Sequence, residues 1–304
     1  MKCILNSTIF YDCEKMVSMK SNSFSLLETI STSTIQIGGY SGIILERYNT
    51  PAFVKGLQRF LSGGWSMDTE VARAADRDVH RCELMHSEVA YIKRYHLLGL
   101  KPNLRSLLKV NKAQKAWRIG RKLQLKGIDT PQPIALLKHR ISIFSFDYIC
   151  ITKSIEDAVT LREAVRLMKT GHSSFRGLKM SFINAMAKFV AQLHIQGIYH
   201  GDFAADNVLI QHGEDGADMR IFLIDLDAVR TAFRISNRRR VKNIDELGRN
   251  FLDLRIISTT DRALFIRKYL SYYRRDKRSW RQLFKVVQQR TEQRLTVHHK
   301  IFTR

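Results

Sequence analysis

Three polar side chains flank two short apolar segments in the second half of the chain. Asp202 and Asn207 precede the apolar run Val208–Ile210, and Asp225 follows the second run, Ile221–Ile224. A polar connection rich in Gly and Asp separates the two runs, which is a pattern typical of a β-hairpin. A hairpin brings the start of its first strand to the end of its second. The sequence therefore predicts that Asp202, Asn207 and Asp225 meet at one end of a small sheet.

Carboxylate and amide oxygens of this kind suit a hard divalent cation. Mg²⁺ takes one or two protein carboxylates, keeps several waters and binds the phosphates of a substrate. A carboxylate left over from such a site is placed to orient a hydroxyl group and accept its proton. The alternative interpretation is a surface hairpin in which Asp and Asn serve only as turn residues. That alternative requires several spacings to coincide by chance.

The order of these residues resembles a known catalytic loop. H-x-D-x-x-x-x-N, followed by an apolar strand and an Asp, is similar to the catalytic loop and metal-binding Asp of the protein-kinase-like fold. Further upstream, Val89–Tyr95 reads VAYIKRY. V-A-x-I-K resembles the third strand of the kinase small lobe, which implies that Lys93 holds the nucleotide phosphates. Without that resemblance, Lys93 is a solvated lysine on a strand.

Two features depart from the protein-kinase pattern. The segment 73–77 stands where the phosphate-binding loop is expected, but it has no glycine, and Arg73 or Arg77 is left as a source of positive charge. The predicted helix over 112–126 has no acidic residue, so it lacks the Glu that pairs with the strand lysine in protein kinases. Another group must orient Lys93, or the substrate alone holds it.

Additional motifs narrow the resemblance. The helix carries W-R at Trp117, G-I-D-T-P-Q-P follows it, and I-D-L-D ends at Asp227. Together with H-G-D-x-x-x-x-N, these motifs resemble the bacterial lipopolysaccharide core kinases, which phosphorylate Kdo or heptose sugars of the inner core from ATP. The resemblance runs from about residue 71 to residue 270, roughly two-thirds of the chain.

The resemblance implies an α+β fold with two lobes. Residues 51–152 would form an N-lobe with a small antiparallel sheet that binds the nucleotide phosphates. Residues 153–304 would form a mostly helical C-lobe with the catalytic loop, the metal site and a basic helical end. Within them, the sequence predicts helices over 245–254 and 261–274 that begin at Asp245 and Asp261, each of which can cap a helix N-terminus. Residues 1–50 are predicted to be a poorly defined N-terminal extension, because Ser and Thr are frequent there and no clear pattern appears.

The resemblance also assigns roles to single residues. Asp202 would accept or orient the proton of the attacking hydroxyl, while Asn207 and Asp225 would hold Mg²⁺. His200 is predicted to support the loop by a hydrogen bond. Asp227 matches the second Asp of I-D-x-D, which makes it a second metal ligand or a carboxylate that braces the loop. ATP and Mg²⁺ are thus the expected cofactors.

The charge of the chain indicates an anionic partner. The net charge is +23, and residues 230–304 hold 21 Lys and Arg against 6 Asp and Glu, a net of +15. Arg238, Arg239 and Arg240 stand where a kinase activation segment would run, so they are the candidate contacts to acceptor phosphates. The expected partner is an anionic glycolipid, with peripheral contact to an anionic membrane surface, and no nucleic acid is expected.

The sequence also bounds the compartment. The four cysteines are scattered without metal-ligand spacing, which favours a reducing, cytoplasmic setting. Ile141–Ile151, the longest apolar stretch, is too short to span a membrane. We therefore expect a cytoplasmic protein, peripheral at the inner face of the inner membrane.

Three other functions compete with phosphorylation of lipopolysaccharide. An aminoglycoside-type phosphotransferase shares H-G-D-x-x-x-x-N, but its cationic substrates conflict with so basic a C-lobe. An atypical protein kinase is an open alternative, since the missing D-F-G glycine, glycine-rich loop and helix Glu count only against a conventional protein kinase. A pseudokinase that binds nucleic acid would explain the charge, but it needs none of the four site residues. The sequence does not name the sugar or the hydroxyl.

Overall fold

The first part of the chain builds one antiparallel sheet of seven strands. The structure is a computed structural model, and it describes residues 31–63, 70–74, 77–85, 88–96, 111–141, 146–172, 177–212, 219–251 and 257–302. The strand order in the sheet is β1-β2-β6-β7-β5-β4-β3. The strands are β1 Thr32–Ile37, β2 Tyr40–Leu45, β3 Glu70–Ala74, β4 Arg77–Met85, β5 Glu88–His96, β6 Pro133–Arg140 and β7 Phe146–Lys153.

The first hairpin lies inside the segment 1–50, where the sequence analysis expected only a loose extension. Gly38 and Gly39 join β1 to β2, and both have positive φ angles (53° and 79°). Two consecutive left-handed residues make the type I′ turn that fits a two-residue hairpin. Ile35 and Ile37 alternate into the core. The short alternating run was hidden by the surrounding Ser and Thr; residues 1–30 lie outside the described part.

Two helices accompany the sheet. Helix α1, Pro51–Gly63, buries Phe53, Leu57 and Phe60 on one face, as its apolar spacing predicts. Helix α2, Lys112–Leu125, begins after Asn111, whose side-chain oxygen accepts a hydrogen bond from Ala113 N at 2.7 Å. Because α2 lies against both the sheet and the segment after the catalytic hairpin, it connects the two halves of the molecule.

The second part of the chain is mostly helical. Its helices are α3 Leu161–Thr170, α4 Lys179–Ile195, α5 Asn237–Arg249, α6 Thr259–Tyr272 and α7 Trp280–Phe302. Helix α4 is the central one, since it buries Phe182, Met186, Val190 and Leu193 among its neighbours. No helix in the described ranges is long and apolar enough to cross a membrane.

Two helix starts differ from the sequence prediction. Asp245 was expected to begin a helix, but α5 begins eight residues earlier after the cap Ser236, and Asp245 is fully buried within it. Asp261 was expected to cap the next helix. The cap is Ser258, and Asp261 is its partner three residues later in a capping box. In both cases a serine is the N-cap residue, and the aspartate lies within the helix.

Two small sheets complete the second part and hold the catalytic segment. Strands β8 Ala158–Thr160, β10 Val208–His212 and β11 Met219–Leu223 form one sheet, and β9 Ile198–His200 pairs with β12 Val229–Thr231. The chain turns from α4 into β9 at Gly197, which has a φ of +74°. A Cβ atom there would lie 1.8 Å from the carbonyl oxygen of Ala232, so only glycine fits.

Candidate active site

The predicted hairpin is present and fixes the position of two site residues. Strands β10 and β11 pair antiparallel with Val208 opposite Leu223, so Asn207 and Ile224 face each other just beyond the pair. Ile224 N donates a hydrogen bond of 3.0 Å to the carbonyl oxygen of Asn207. Asp225 is the next residue. The turn of this hairpin, residues 213–218, lies outside the described residues.

Asp225 is the centre of a network of charges. Lys93 Nζ, on strand β5, lies 2.5 Å from Asp225 Oδ1. Arg77, at the start of β4, lies 3.2 Å from the same oxygen and 3.0 Å from Asp227 Oδ2. Asp225 itself has a φ of 58°, the left-handed region that Asp tolerates better than most residues. The network joins the large sheet to the end of the catalytic hairpin.

The two carboxyl groups of this network have different proton affinities. Burial alone would raise the pKa of Asp225, but the charge and hydrogen bond of Lys93, with the charge of Arg77, hold it below its ordinary value. Burial and the neighbouring charge of Asp225 raise the pKa of Asp227. Such a difference between adjacent carboxyl groups separates their roles. Asp225 is the more acidic member of the pair.

The donor set at this position fits a magnesium ion. Asn207 supplies an amide oxygen and Asp225 an ionised carboxylate, and Mg²⁺ needs only one or two protein carboxylates beside water and substrate phosphates. The described residues hold no cluster of three or more His, Cys, Asp or Glu side chains with metal-binding geometry. One amide oxygen and one carboxylate would leave most positions around such an ion to water and substrate oxygens.

A cleft of about 700 Å³ opens beside this network. Its walls come from the large sheet on one side and from the hairpin on the other. Among its lining residues are Arg77, Lys93, Asn207 and Asp225. The apolar part of the wall comes from residues such as Val79 and Leu209. A concave, partly apolar space with convergent charged groups at one end is the usual form of a nucleotide site.

Arg77 and Lys115 supply charge where the sequence pattern lacked the usual groups. Of the two arginines in the segment 73–77, Arg73 pairs with Glu70 on its own strand. Arg77 is therefore the one that contacts the carboxylates of Asp225 and Asp227. Lys115, on the acid-free helix α2, donates a hydrogen bond to the backbone oxygen of Asp227. From the sequence, Arg77 is one of two candidate arginines, and no motif points to Lys115.

Asp202 lies exposed at the start of the catalytic loop. Its backbone oxygen accepts a hydrogen bond of 2.9 Å from the Asn207 side chain, which ties the two ends of the loop together. Its backbone N–H donates to His200 Nδ1 at 3.2 Å. Because the carboxylate itself faces solvent, it is accessible to an acceptor molecule from outside.

His200 is held in one tautomer. Nδ1 accepts from the backbone of Asp202, so the ring proton is on Nε2, which donates to the carbonyl oxygen of Ile224 at 3.1 Å. Burial lowers the pKa of His200 and keeps the ring neutral. A neutral ring that bridges the loop and strand β11 supports the backbone on which both Asp202 and Asp225 sit.

A chain of buried, hydrogen-bonded polar side chains contacts the backbone of the loop at His200, and no sequence pattern predicted it. Asn243, on α5, donates to the carbonyl oxygen of His200 at 2.6 Å and accepts from its N–H at 3.3 Å. His194 Nε2 donates to the same Asn243 oxygen at 3.4 Å, and His194 Nδ1 accepts from the Tyr269 hydroxyl at 3.0 Å. Asn243 lies outside every motif and 43 residues from its partner, so no sequence signal pointed to it.

The structure corrects the prediction for Arg240. Arg240 is 2% exposed, and it pairs with Asp276 at 3.0 Å and donates to the Tyr269 hydroxyl. It extends the buried polar chain and cannot reach an acceptor phosphate. Arg238 and Arg239 are exposed on the first turn of α5, where contact with an acceptor remains a prediction. The reason is helical geometry, because three consecutive residues point in three directions.

Comparison with known proteins shows what the chain is similar to. A family model described as the lipopolysaccharide kinase (Kdo/WaaP) family matches residues 62–269, more than half of the chain. A 3-deoxy-D-manno-octulosonic acid kinase from Pasteurella multocida (strain Pm70) is 24% identical over 132 residues. That match covers 43% of this chain and 50% of the relative, so the chain spans about half the length of the curated protein it matches.

A solved structure is also similar. The structure of WaaP in complex with acyl carrier protein aligns over 74% of this chain and 88% of that chain, with a TM-score of 0.55 and 19% sequence identity. Similarity at this identity concerns the fold alone. It confirms the predicted α+β, protein-kinase-like fold.

Proposed function

The chain belongs to the lipopolysaccharide kinase (Kdo/WaaP) family, and on this premise we propose that it transfers the γ-phosphoryl group of ATP to a sugar hydroxyl of the lipopolysaccharide inner core. The acceptor sugar is Kdo or heptose. The observation that carries the proposal is the contact of 2.5 Å between Lys93 and Asp225 across the cleft. It joins the predicted phosphate-binding lysine to the predicted metal-binding carboxylate.

The chain's own residues account for the chemistry of transfer. Lys93 and Arg77 line the cleft, and in this proposal they would contact the β- and γ-phosphates and offset the negative charge of the transferring group. The acceptor oxygen attacks the γ-phosphorus, the bond from that phosphorus to the bridging oxygen breaks, and ADP leaves with the bonding electrons. Asp202 accepts the proton that the hydroxyl loses.

The proposed reaction includes a magnesium ion at the end of the hairpin. Asn207 and Asp225 would hold the ion, which neutralises developing charge on the phosphates when bound. The lowered pKa of Asp225 keeps its carboxylate ionised and able to act as a ligand. Asp227, with its raised pKa, braces the segment through Arg77. His200 and Asn243 fix the backbone of the loop between these groups.

The acceptor surface fits an anionic glycolipid. The net charge of +23 and the excess of +15 over residues 230–304 place positive charge in the part of the chain that follows the catalytic hairpin. Each Lys or Arg near an anionic leaflet adds about 1 kcal/mol of attraction. We therefore propose peripheral attachment at the cytoplasmic face of the inner membrane, where the acceptor is within reach.

The test is a transfer assay with radiolabelled ATP and three acceptors in parallel: inner-core lipopolysaccharide, a casein-like protein and an aminoglycoside. The expected result is magnesium-dependent label on the glycolipid alone. Label on the protein alone would establish a protein kinase, and label on the aminoglycoside alone a small-molecule phosphotransferase. Either outcome would overturn the proposal.

A further inference from the structure

A second concave site lies next to the catalytic loop, and positive charge dominates it. It has a volume of about 360 Å³ and is formed by strand β9 and helices α5 and α7. We call it the basic pocket. Its lining residues are Tyr199, Ser236, Arg238, Arg239, Lys242, Arg290 and Arg294. Five of these seven residues are Lys or Arg, and none is acidic.

Two of the five cations are held in place by buried or half-buried carboxylates. Arg290 Nε lies 3.1 Å from Asp245, which is fully buried within α5. Lys242 Nζ lies 3.0 Å from Glu246 on the next turn of the same helix. The Arg290–Asp245 pair fixes α7 against α5, whereas the Lys242–Glu246 pair orients Lys242 within α5 itself. Pairing with Arg290 also accounts for the position of Asp245 inside a helix, away from its start.

The other three cations lack such partners. Within the described ranges, no carboxylate lies at ion-pair distance from Arg238, Arg239 or Arg294. Arg239 lies over the Tyr199 ring, with its guanidinium carbon 5.4 Å from the ring centre. Three guanidinium groups in one concave site repel each other, and an anion removes that repulsion. Guanidinium groups also match the oxygens of phosphates and carboxylates in pairs.

The basic pocket is linked directly to the catalytic loop. Lys242 Nζ donates to the backbone oxygen of Gly201 at 2.9 Å, and Gly201 precedes Asp202. The same ammonium group donates to the Tyr199 hydroxyl at 2.9 Å. Tyr199 itself lies on β9, which leads into the loop. A ligand in the basic pocket would therefore be held next to the backbone that leads into the loop with Asp202.

We propose that the basic pocket binds an anionic group of the sugar acceptor, a phosphate monoester or a carboxylate, while a hydroxyl of the same acceptor reaches Asp202. The inference rests on the proposed function and specifies its acceptor further. The sequence predicted Arg238, Arg239 and Arg240 as contacts to acceptor phosphates. The basic pocket keeps the first two, excludes the buried Arg240 and adds Arg294 from helix α7. Selectivity follows, because an acceptor without the anionic group leaves the guanidinium groups unneutralised.

The test compares acceptor binding in two matched double variants. Arg238→Gln with Arg294→Gln removes two exposed pocket charges, and Arg281→Gln with Lys285→Gln removes two exposed charges from α7 outside the pocket. Equilibrium binding is measured for three forms of an inner-core oligosaccharide: intact, enzymatically dephosphorylated and carboxyl-reduced. Because binding requires no turnover, the result is independent of catalysis.

We expect the wild type to bind the intact form about 10-fold or more tightly than one of the two altered forms, since charge-assisted contacts are lost. The altered form that binds weakly identifies the anion as phosphate or carboxylate. The pocket variant should lose this preference and the control variant should keep it. Equal binding of all three forms by the wild type, or an undiminished preference in the pocket variant, would overturn the inference.

The two proposals fail in different ways. A binding preference that depends on the pocket, without transfer of label to the glycolipid, would refute the proposed function and leave the anion site in place. Transfer to the glycolipid with no dependence on the pocket residues would refute the anion site and leave the function in place.

Discussion

Lys93 Nζ on strand β5 lies 2.5 Å from Asp225 Oδ1 at the end of strand β11, although 132 residues separate them in the chain. The acid-free helix α2 offers no carboxylate to orient the lysine. Asp225 takes that place, with Arg77 as a second cation on the same carboxylate. The pair joins the two sides of the cleft. In the proposed reaction, the phosphates of ATP would share or displace these contacts.

Arg77 is expected to bind the nucleotide phosphates in place of a glycine-rich loop. Changing Arg77 to Ala removes a guanidinium group from the cleft, so ATP affinity should fall about 10-fold or more. Arg81→Ala on the same strand, where the side chain is exposed, is the matched control and should change the affinity less than about 2-fold. Titration with a fluorescent ATP analogue measures both. Tighter binding by the Arg77 variant would mean that this residue blocks the site.

Asn243 is expected to act on the reaction through the backbone of the catalytic loop. Asn243→Ala removes both hydrogen bonds to His200, so the loop that bears Asp202 becomes less ordered, and kcat should fall about 10-fold. The KM for ATP should change little, because the cleft residues are untouched. Steady-state kinetics separate the two constants.

The control for this variant is Asn184→Ala. Asn184 accepts a hydrogen bond from Tyr272 at 2.9 Å away from the loop, so its removal should lower stability without lowering kcat. Equal losses of kcat in both variants at a temperature where both are folded would show that general destabilisation explains the effect of Asn243.

Arg240 is expected to contribute to stability. Arg240→Leu leaves the buried carboxylate of Asp276 with only Arg278 as a partner, which should cost about 3 kcal/mol of unfolding free energy. Arg238→Gln, two residues away and exposed, should cost less than about 0.5 kcal/mol. Urea unfolding measures both. Similar values for the two arginines would contradict the assignment of Arg240 to the buried polar chain.

His194 is expected to make the fold sensitive to acid. Burial lowers the pKa of His194 from 6.5 to about 3. Between these values the unfolded chain binds a proton that the folded chain does not, so stability falls as the pH falls below 6.5. The slope is at most about 1.4 kcal/mol per pH unit for this group. Urea unfolding between pH 7 and pH 5 measures it, above the range in which most carboxylates titrate.

The matched variants for this slope are His194→Gln and His172→Gln, the second being exposed. The first should flatten the dependence of unfolding free energy on pH, and the second should leave it unchanged. If His194→Gln does not fold, the NMR signals of the wild-type imidazole provide the test. A protonated His194 ring at pH 5 would refute the account.

The spacing of apolar runs and polar residues was enough to predict the hairpin, and the resemblance of short motifs to a known family was enough to predict the fold class and the family. H-G-D-x-x-x-x-N and I-D-L-D are continuous in the chain, and pairing of β10 with β11 follows from their apolar runs and the polar connection. The phosphate-binding role of Lys93 was inferred from the resemblance of V-A-x-I-K to a kinase strand, and that role stays a prediction. These are short-range patterns, and their physical meaning does not depend on the rest of the molecule.

Contacts between distant segments could not be predicted. The pairing of Asp225 with Lys93 and Arg77, and the support of His200 by Asn243, depend on how the sheet and the helices pack. Arg240 was assigned to the acceptor surface because it stands where a kinase activation segment would run, and Asp245 to a helix start because Asp can cap a helix. Both are buried, since each meets an opposite charge from a helix or loop that the sequence does not place nearby.

We propose that Asp202 accepts the proton of the acceptor hydroxyl while the cleft binds ATP, and the variant Asp202→Asn tests this division of roles most directly. The measurement pairs a transfer assay on inner-core lipopolysaccharide with ATP titration of the same variant. The account predicts that transfer falls by about 10² to 10⁴-fold, since the amide cannot accept the proton, while ATP affinity stays within about 3-fold. Near-normal transfer by the variant would contradict the account.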